Sequence, residues 1–327
     1  MKKLALLIAV ACLLVGAMFY VAKPRQSATT TSGQTTAVVT QTLAPPFVIF
    51  RTLAPADRYG RLAMVPVSTP NASRVFSQLE CARVHYAGGA GVCLVEEPDG
   101  NQVVHAAYFF DRSVTRGTRL LLSGVPTRVR VSPNGQRAAI TVYGEEHMPD
   151  GQERLATDSI LVDLPSGRVL AKLREFALDL TGKLATNAPL DYSSVAFEAN
   201  ADNFYATLNS ASLWFVVAGT VSSRRLTIVA EGFASEAISP DGDRLAVKQR
   251  VGERGFWHAM VFDLTTKTLK PLNHPRSIDD QIEWLDRDHI TYHDAADHGT
   301  GIWALAIDGR SGPRLLIPDA YSPAVQH

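Results

Sequence analysis

Net charge is what this chain most plainly lacks: Lys and Arg number 32, Asp and Glu 32, and the formal charge at pH 7 is +0. No strongly basic run follows Arg25, which excludes the electrostatic footprint of a nucleic-acid binder. Motifs that would name a reaction are missing as well. There is no Gly-x-Ser-x-Gly nucleophile elbow, no His-Glu-x-x-His, no Gly-x-x-x-x-Gly-Lys and no Gly-x-Gly-x-x-Gly. The glycine-rich stretch from Ala87 to Val92 joins two strand-like segments and does not open a helix, so it reads as a turn and no cofactor is expected. Cysteine is scarce, with 3 in all. Cys12 lies in an apolar run, leaving Cys81 and Cys93 as an even pair with no metal-site spacing. They are expected to form a disulfide worth about 3 kcal/mol, consistent with an oxidising exterior. A simple hairpin register over Gly88 and Gly89 does not set the two cysteines opposite each other.

Long apolar runs are also rare, and the one present sits at the amino terminus. Lys2 and Lys3 precede an uncharged stretch from Leu4 to Ala22, stopped by Lys23, Pro24 and Arg25. As a helix it would span about 28 Å, close to the hydrocarbon thickness of a bilayer. Residues 1–25 are therefore expected to be a transmembrane signal anchor with the amino terminus inside; a cleaved secretory signal is the competing reading. The bulky and charged residues of "FYVAKP" offer no small-x-small cleavage site. Residues 26–46, rich in Thr, Ser and Gln and free of charge, are expected to be a disordered tether reaching roughly 25 Å. The remainder, 47–327, would then lie on the extracytoplasmic side of the membrane, or be secreted if the signal is cleaved.

Within 47–327 a four-residue turn recurs between short alternating strands. Ser132-Pro133-Asn134-Gly135 separates "TRVRV" from "RAAITVY", and Ser239-Pro240-Asp241-Gly242 separates "SEAI" from "RLAVKQR". Pro presets φ, Asn or Asp tolerates the second corner, and Gly supplies the positive φ. The segment divides into six units of about 47 residues, the period of a β-propeller blade. In "TRVRV" the two valines alternate with Arg128 and Arg130, one face packed and the other wet. Asp111, Asp163, Asp263 and Asp308 end the third strand of four units and read as turn formers. The first unit is one strand short. "DAYSPAVQ" near the carboxy terminus repeats the Ser-Pro and apolar pattern of the other first strands and is expected to complete it, closing the ring.

Several stretches then resemble the TolB-like β-propeller family, in particular its membrane-anchored actinobacterial members. These are "CARVHYAGGAGVCL", "PTRVRVSPNGQRAAITVY", "NADNFYATL", "SEAISPDGDRLAVKQR", "RSIDDQIEWLDRDHITY" and "IPDAYSPAV". The resemblance implies an all-β, six-bladed fold and a protein-binding habit, with no catalytic residue to carry over. Residues 1–46 are too short for the α/β domain that precedes the propeller in TolB.

Candidate site residues are few. Asp279, Asp280, Glu283 and Asp286 crowd the entry to the sixth unit, with Asp288 beside them. They read as a solvated loop or as a cation or basic-peptide contact at one mouth of the central channel. His289, His293 and His298 cluster, but the first two are four apart on an expected strand, roughly 13 Å, too far to share an ion directly. Trp214, Trp257, Trp284 and Trp303 fall in or beside strands and are expected to pack between blades. The function expected is a membrane-tethered scaffold for an envelope or secreted protein or peptide. A small-ligand or saccharide sensor using the channel, and a propeller hydrolase or lyase, are the alternatives.

Overall fold

The computed structural model describes residues 42–55, 58–147, 151, 153–179, 188–252, 255–296 and 299–327. The expected anchor, most of the tether and His298 lie outside the described residues. Among the described residues no helix is long and apolar enough to cross a membrane.

Strands follow the local chemistry of the sequence. Short β-branched and aromatic runs alternate inward and outward, and tight turns separate them. They form six sheets, antiparallel but for one added edge strand. Blade two is Arg83–Ala87, Ala90–Asp99, Gln102–Asp111 and Arg119–Leu122; blade three is Val125–Val131, Arg137–His147, Glu153–Asp163 and Arg168–Lys172. Blade four is Asp191–Phe197, Asn203–Ser210, Leu213–Thr220 and Arg225–Glu231. Blade five is Ala234–Ile238, Arg244–Val251, Phe256–Asp263 and Leu269–Pro271; blade six is Ile282–Trp284, His289–Ala296, Gly299–Ala306 and Arg314–Pro318. Blade four carries one strand more than the sequence pattern gives. Ala177–Asp179 adds to its outer edge in parallel with Arg225–Glu231.

Blade one is closed by the carboxy-terminal strand. Ala320–Gln326 pairs with Phe47–Thr52, with Phe47 opposite Gln326 and Thr52 opposite Ala320. Arg61–Pro66 and Val75–Glu80 complete the sheet. The innermost strands of all six blades touch one another in a ring, so the sheet series has no open edge between first and last blades.

The core is divided in the same way. Six hydrophobic clusters lie one at each blade interface. Fully buried Phe47, Phe50, Phe197, Phe204 and Trp284 are among their largest members, each stabilising the fold by about 2 kcal/mol through apolar area removed from water. Chain before the first strand is already bound to the propeller. Thr42 donates its N–H to Arg112 O (3.0 Å), and Leu43 packs on the interface between blades one and two. The apolar Leu43, next to the first strand, accounts for this.

Cys81 and Cys93 are joined by a disulfide. Cys93 faces Val84 across the hairpin, so the register indeed leaves Cys81 out. The bridge forms because Cys81 lies before the hairpin, where its N–H turns to Gly60 O of blade one (3.0 Å).

Turns at the ends of the innermost strands behave as their sequences direct. In Ser132–Gly135 the serine Oγ accepts the Arg137 N–H at 2.9 Å and Asn134 Oδ1 accepts the Gln136 N–H at 3.1 Å. Ser239–Gly242 repeats this, with Ser239 Oγ accepting the Arg244 N–H at 3.0 Å. Blade four builds the same turn from Glu198-Ala199-Asn200-Ala201, with Ala201 at φ 58°. Gly88, at φ 58°, meets the blade-three turn so closely that a Cβ would stand 2.3 Å from Gly135 N. The four strand-ending aspartates also act as turn formers: Asp308 Oδ1, for instance, accepts the N–H groups of Arg310 (2.7 Å) and Ser311 (2.9 Å).

Candidate functional site

All six innermost strands run in the same direction along the central channel, which defines two ends. At the loop end lie their starts, including Arg83, Ser193, Ala234 and Asp280. At the turn end lie Ala87, the Ser-Pro turns and Gln326. Four of the six strands break register with their neighbours midway, by bulges near Thr127, Ser194, Glu236 and Ser322. A bulge re-aims side chains and frees backbone carbonyls, and both effects appear here.

A layer of charged side chains closes the channel between the two ends. The arginines of "TRVRV" do not face solvent as the alternation suggests; Arg130 is 8% exposed because the wet face of an innermost strand is the channel itself. One of its amino groups donates to Glu236 O (3.0 Å) and Ile282 O (2.9 Å), and the other to Glu283 Oε2. His85 Nδ1 accepts the Val131 N–H at 3.1 Å. That nitrogen carries no proton, so the ring's single proton sits on Nε2 and is donated to Glu283 Oε2 at 2.8 Å. Glu283 Oε1 accepts the Trp284 N–H at 2.9 Å. Burial alone would raise the Glu283 pKa, but the Arg130 charge and then the His85 hydrogen bond outweigh it and hold the carboxyl at about 2. Burial lowers the His85 pKa and keeps the ring neutral, in keeping with the tautomer.

Toward the loop end sits a second buried pair. Lys248 Nζ lies 3.0 Å from Glu236 Oε1, with side chains 2% and 1% exposed. The ammonium also donates to Asp280 O (3.0 Å) and Asp279 O (3.4 Å). Desolvation pushes its pKa down, against the pull of Glu236. Arg128 Nη2 approaches the same Glu236 oxygen at 3.7 Å. Glu236 Oε2 has no protein donor and borders a void of about 10 Å³ also lined by Arg130 and Gln281, room for about one water molecule.

The acidic cluster read from the sequence is thereby taken apart. Glu283 is buried inside the channel, 9% exposed. Asp280 pairs with Arg83 at 2.7 Å at the loop end, where Arg83 outweighs burial to keep its pKa low. Asp279, exposed, accepts the Ser277 hydroxyl (2.6 Å). Asp286 lies beyond the innermost strand, at the turn end, bonded to His289 Nδ1 (3.0 Å) and the Asp288 N–H (2.7 Å). Four neighbours in sequence occupy three levels of the channel, because the intervening strand runs along its axis. His293 packs edge-on against Tyr321, 4.7 Å between centroids.

Sequence reasoning missed His85, Arg130, Glu236 and Lys248. Part of the signal was a polar residue midway along an innermost strand, as at His85, Arg130, Glu236 and Glu283. But Thr127, Arg128, Ser193 and Ser235 share those strands or their equivalents, and Lys248 lies on the second strand of blade five.

Two cavities remain, one at each end, with no lining residue in common. The turn-end cavity has a volume of about 480 Å³. Its floor is His85, Arg130 and Glu283; its walls include Pro133, Phe197, Pro240, Trp284 and Val325; Glu198, Asp241 and His327 edge it. The loop-end cavity, about 280 Å³, contains Arg83, Arg128, Lys248, Glu236, Trp214 and Trp257.

No protein-family model matches the chain, and no curated protein matches it. Solved structures do. TolB from Acinetobacter baumannii superimposes with a TM-score of 0.60 at 16% identity, covering 86% of this chain and 67% of that one. A chain of the nidogen/laminin complex gives 0.52 at 9% identity, over 86% of this chain and 97% of its own length. Identities this low speak to architecture alone, and on that level the chain is an all-β, six-bladed β-propeller with the fold found in TolB.

Proposed function

We propose that this protein is an extracytoplasmic, membrane-tethered scaffold whose turn-end cavity holds a segment of a partner protein or peptide of the cell envelope. The observation that carries this reading is a preformed cavity with a chemically quiet floor. Its 480 Å³ falls in the range of ligand sites. At that floor Glu283 stays ionised and His85 neutral, each committed to partners inside the layer, so neither is poised for proton transfer near neutral pH. Rigid turns, Pro133, Pro240 and the aromatic walls favour shape recognition without rearrangement. The apolar run at residues 4–22 and the uncharged stretch that follows supply the tether in this reading.

Proximity crosslinking in intact cells tests it, comparing the full-length chain with a variant lacking residues 26–327. A small, reproducible set of envelope proteins captured only by the full-length chain is expected. A photoreactive residue at Gln326 should crosslink the same partner, whereas one at exposed Arg168 on the outer edge of blade three should not. Identical capture by both chains, or by both positions, would sink the proposal.

A further inference from the structure

We infer that the loop-end cavity is a carbohydrate site, independent of the turn-end reading, and that it takes a neutral oligosaccharide. The inference starts from charge. Arg83 and Arg128 stand with Asp279 and Asp280 in this cavity, over the buried Lys248–Glu236 pair, so cations and carboxylates balance. An anionic ligand would want a surplus of cations, and a cationic one a surplus of carboxylates. A purely apolar ligand would cover these charged pairs and hydroxyls and give their remaining donors and acceptors nothing to bond. A neutral ligand rich in hydroxyls, each both donor and acceptor, satisfies such a lining.

Four hydroxyl side chains, Thr127, Thr157, Ser193 and Ser194, extend it. Ser194 stands at a bulge with φ 53°, the kind of local departure that turns a side chain out of the ladder. The wall is aromatic: Trp214 and Trp257 meet edge to face, 4.9 Å between centroids at 87°. Both are half-buried. Lys248 and Arg250 lie over the Trp257 ring, so Trp214 is the one that offers indole surface for the C–H face of a sugar ring while the polar groups meet its hydroxyls.

Length follows from the adjoining surface. A second cavity of about 620 Å³ runs outward along blades four and five, with Asn209, Ser212 and Arg250 in its lining, and Trp214 belongs to both. One sugar fits the 280 Å³ inner cavity and the chain continues past Trp214, so two or more units are bound together. The Lys248–Glu236 pair beneath holds Arg128 in place rather than meeting the sugar, since both its side chains are nearly unexposed.

Screening the full-length chain on an array of neutral and acidic oligosaccharides, followed by calorimetric titration, decides the matter. Neutral oligosaccharides are expected to bind, and disaccharides or longer more tightly than the monosaccharide. Trp214→Ala and Arg128→Gln should each weaken binding about ten-fold, the loss of one well-formed contact. Trp214→Phe should recover part of it, and Arg168→Gln should leave it unchanged. Circular dichroism identifies any variant that has failed to fold, and the Phe variant then serves in its place. The inference is overturned by absence of neutral-sugar binding at millimolar concentration, by binding confined to acidic glycans, or by Trp214→Ala and Arg128→Gln variants that bind as the unaltered chain does.

Discussion

The two ends of the channel are made by different means. The turn end is built from hairpin corners of four residues or fewer, held by Ser, Asn and Asp side chains that bond backbone N–H groups two to five residues away. The loop end gathers the connections between blades, several of only one or two residues and one, 272–281, much longer. Its polar groups find partners distant in sequence: Arg83 with Asp280 across blades, Lys248 with Glu236 between strands. One end is locally determined and rigid; the other depends on tertiary pairing. Between them lies a layer that belongs to neither, to which three blades contribute a polar side chain each and a fourth the Glu236 carbonyl. The contrast teaches that a propeller can separate the two mouths of its channel by sealing its axis with charge instead of with apolar bulk.

The largest effect on this arrangement should come from removing the strand that completes blade one. Deletion of residues 320–327 uncovers the edge at Phe47–Thr52 and removes one wall of the ring. Cooperative unfolding in urea should be lost, and the chain should aggregate; a retained sharp transition would show that five closed blades suffice.

Next comes the sealing layer. Glu283→Ala strands the buried Arg130 guanidinium and should cost about 3–5 kcal/mol, read as a fall in urea midpoint. At the loop end, Lys248→Ala should cost a similar amount, whereas Lys248→Met with Glu236→Gln should cost clearly less, because no buried charge is left unpaired. If the double variant is no better than the single, the pair is not coupled as described.

Acid should act on the same layer. The carboxyl of Glu283 is held at about 2, below its ordinary 4.5, so the unfolded chain takes up its proton first. Its contribution, up to about 3 kcal/mol, is present above pH 4.5 and is lost as pH falls toward 2. His85, with a pKa depressed by burial below 6.5, adds a loss in the same direction beginning as pH drops below 6.5. Urea midpoints from pH 8 to pH 3 should therefore decline in two stages, and Glu283→Gln should shrink the lower one, leaving the part that Asp280 and the turn aspartates contribute.

The smallest effects separate turn from turn. Gly242, at φ 80° with open space around it, should lose about 1 kcal/mol on replacement by Ala, the conformational cost alone. Gly88→Ala should lose more, since its Cβ meets backbone of the neighbouring blade. Equal midpoints for the two variants would deny that the turns of blades two and three are in contact.

What could be read in advance follows the same division. The Ser-Pro turns, the blade order and the pairing of "DAYSPAVQ" with the first strand are matters of local turn chemistry and period, and they lie open in the sequence. The sealing layer is not local. His85, Arg130, Glu236 and Glu283 are single residues in separate strands, and nothing in any one strand names its partner. Alternation showed Arg130 pointing away from the packed face, but only the ring of blades shows that away means into a closed channel. Asp279, Asp280, Glu283 and Asp286 erred in the opposite sense: adjacency in sequence suggested one surface, and a strand along the axis distributes them over its length. The extra strand Ala177–Asp179, three residues long, is too short to carry a period.

Closure by Ala320–Gln326 also sets a timetable. Phe47–Thr52 emerges well before its partner on one side, which is not available until everything from Leu53 to Asp319 has been made. A pairing across so much intervening chain is entropically slow to form. During that interval blade one is a three-stranded sheet with an exposed edge, inviting partners other than its own. Shielding of that edge until the last strand is made would keep blade one from pairing wrongly.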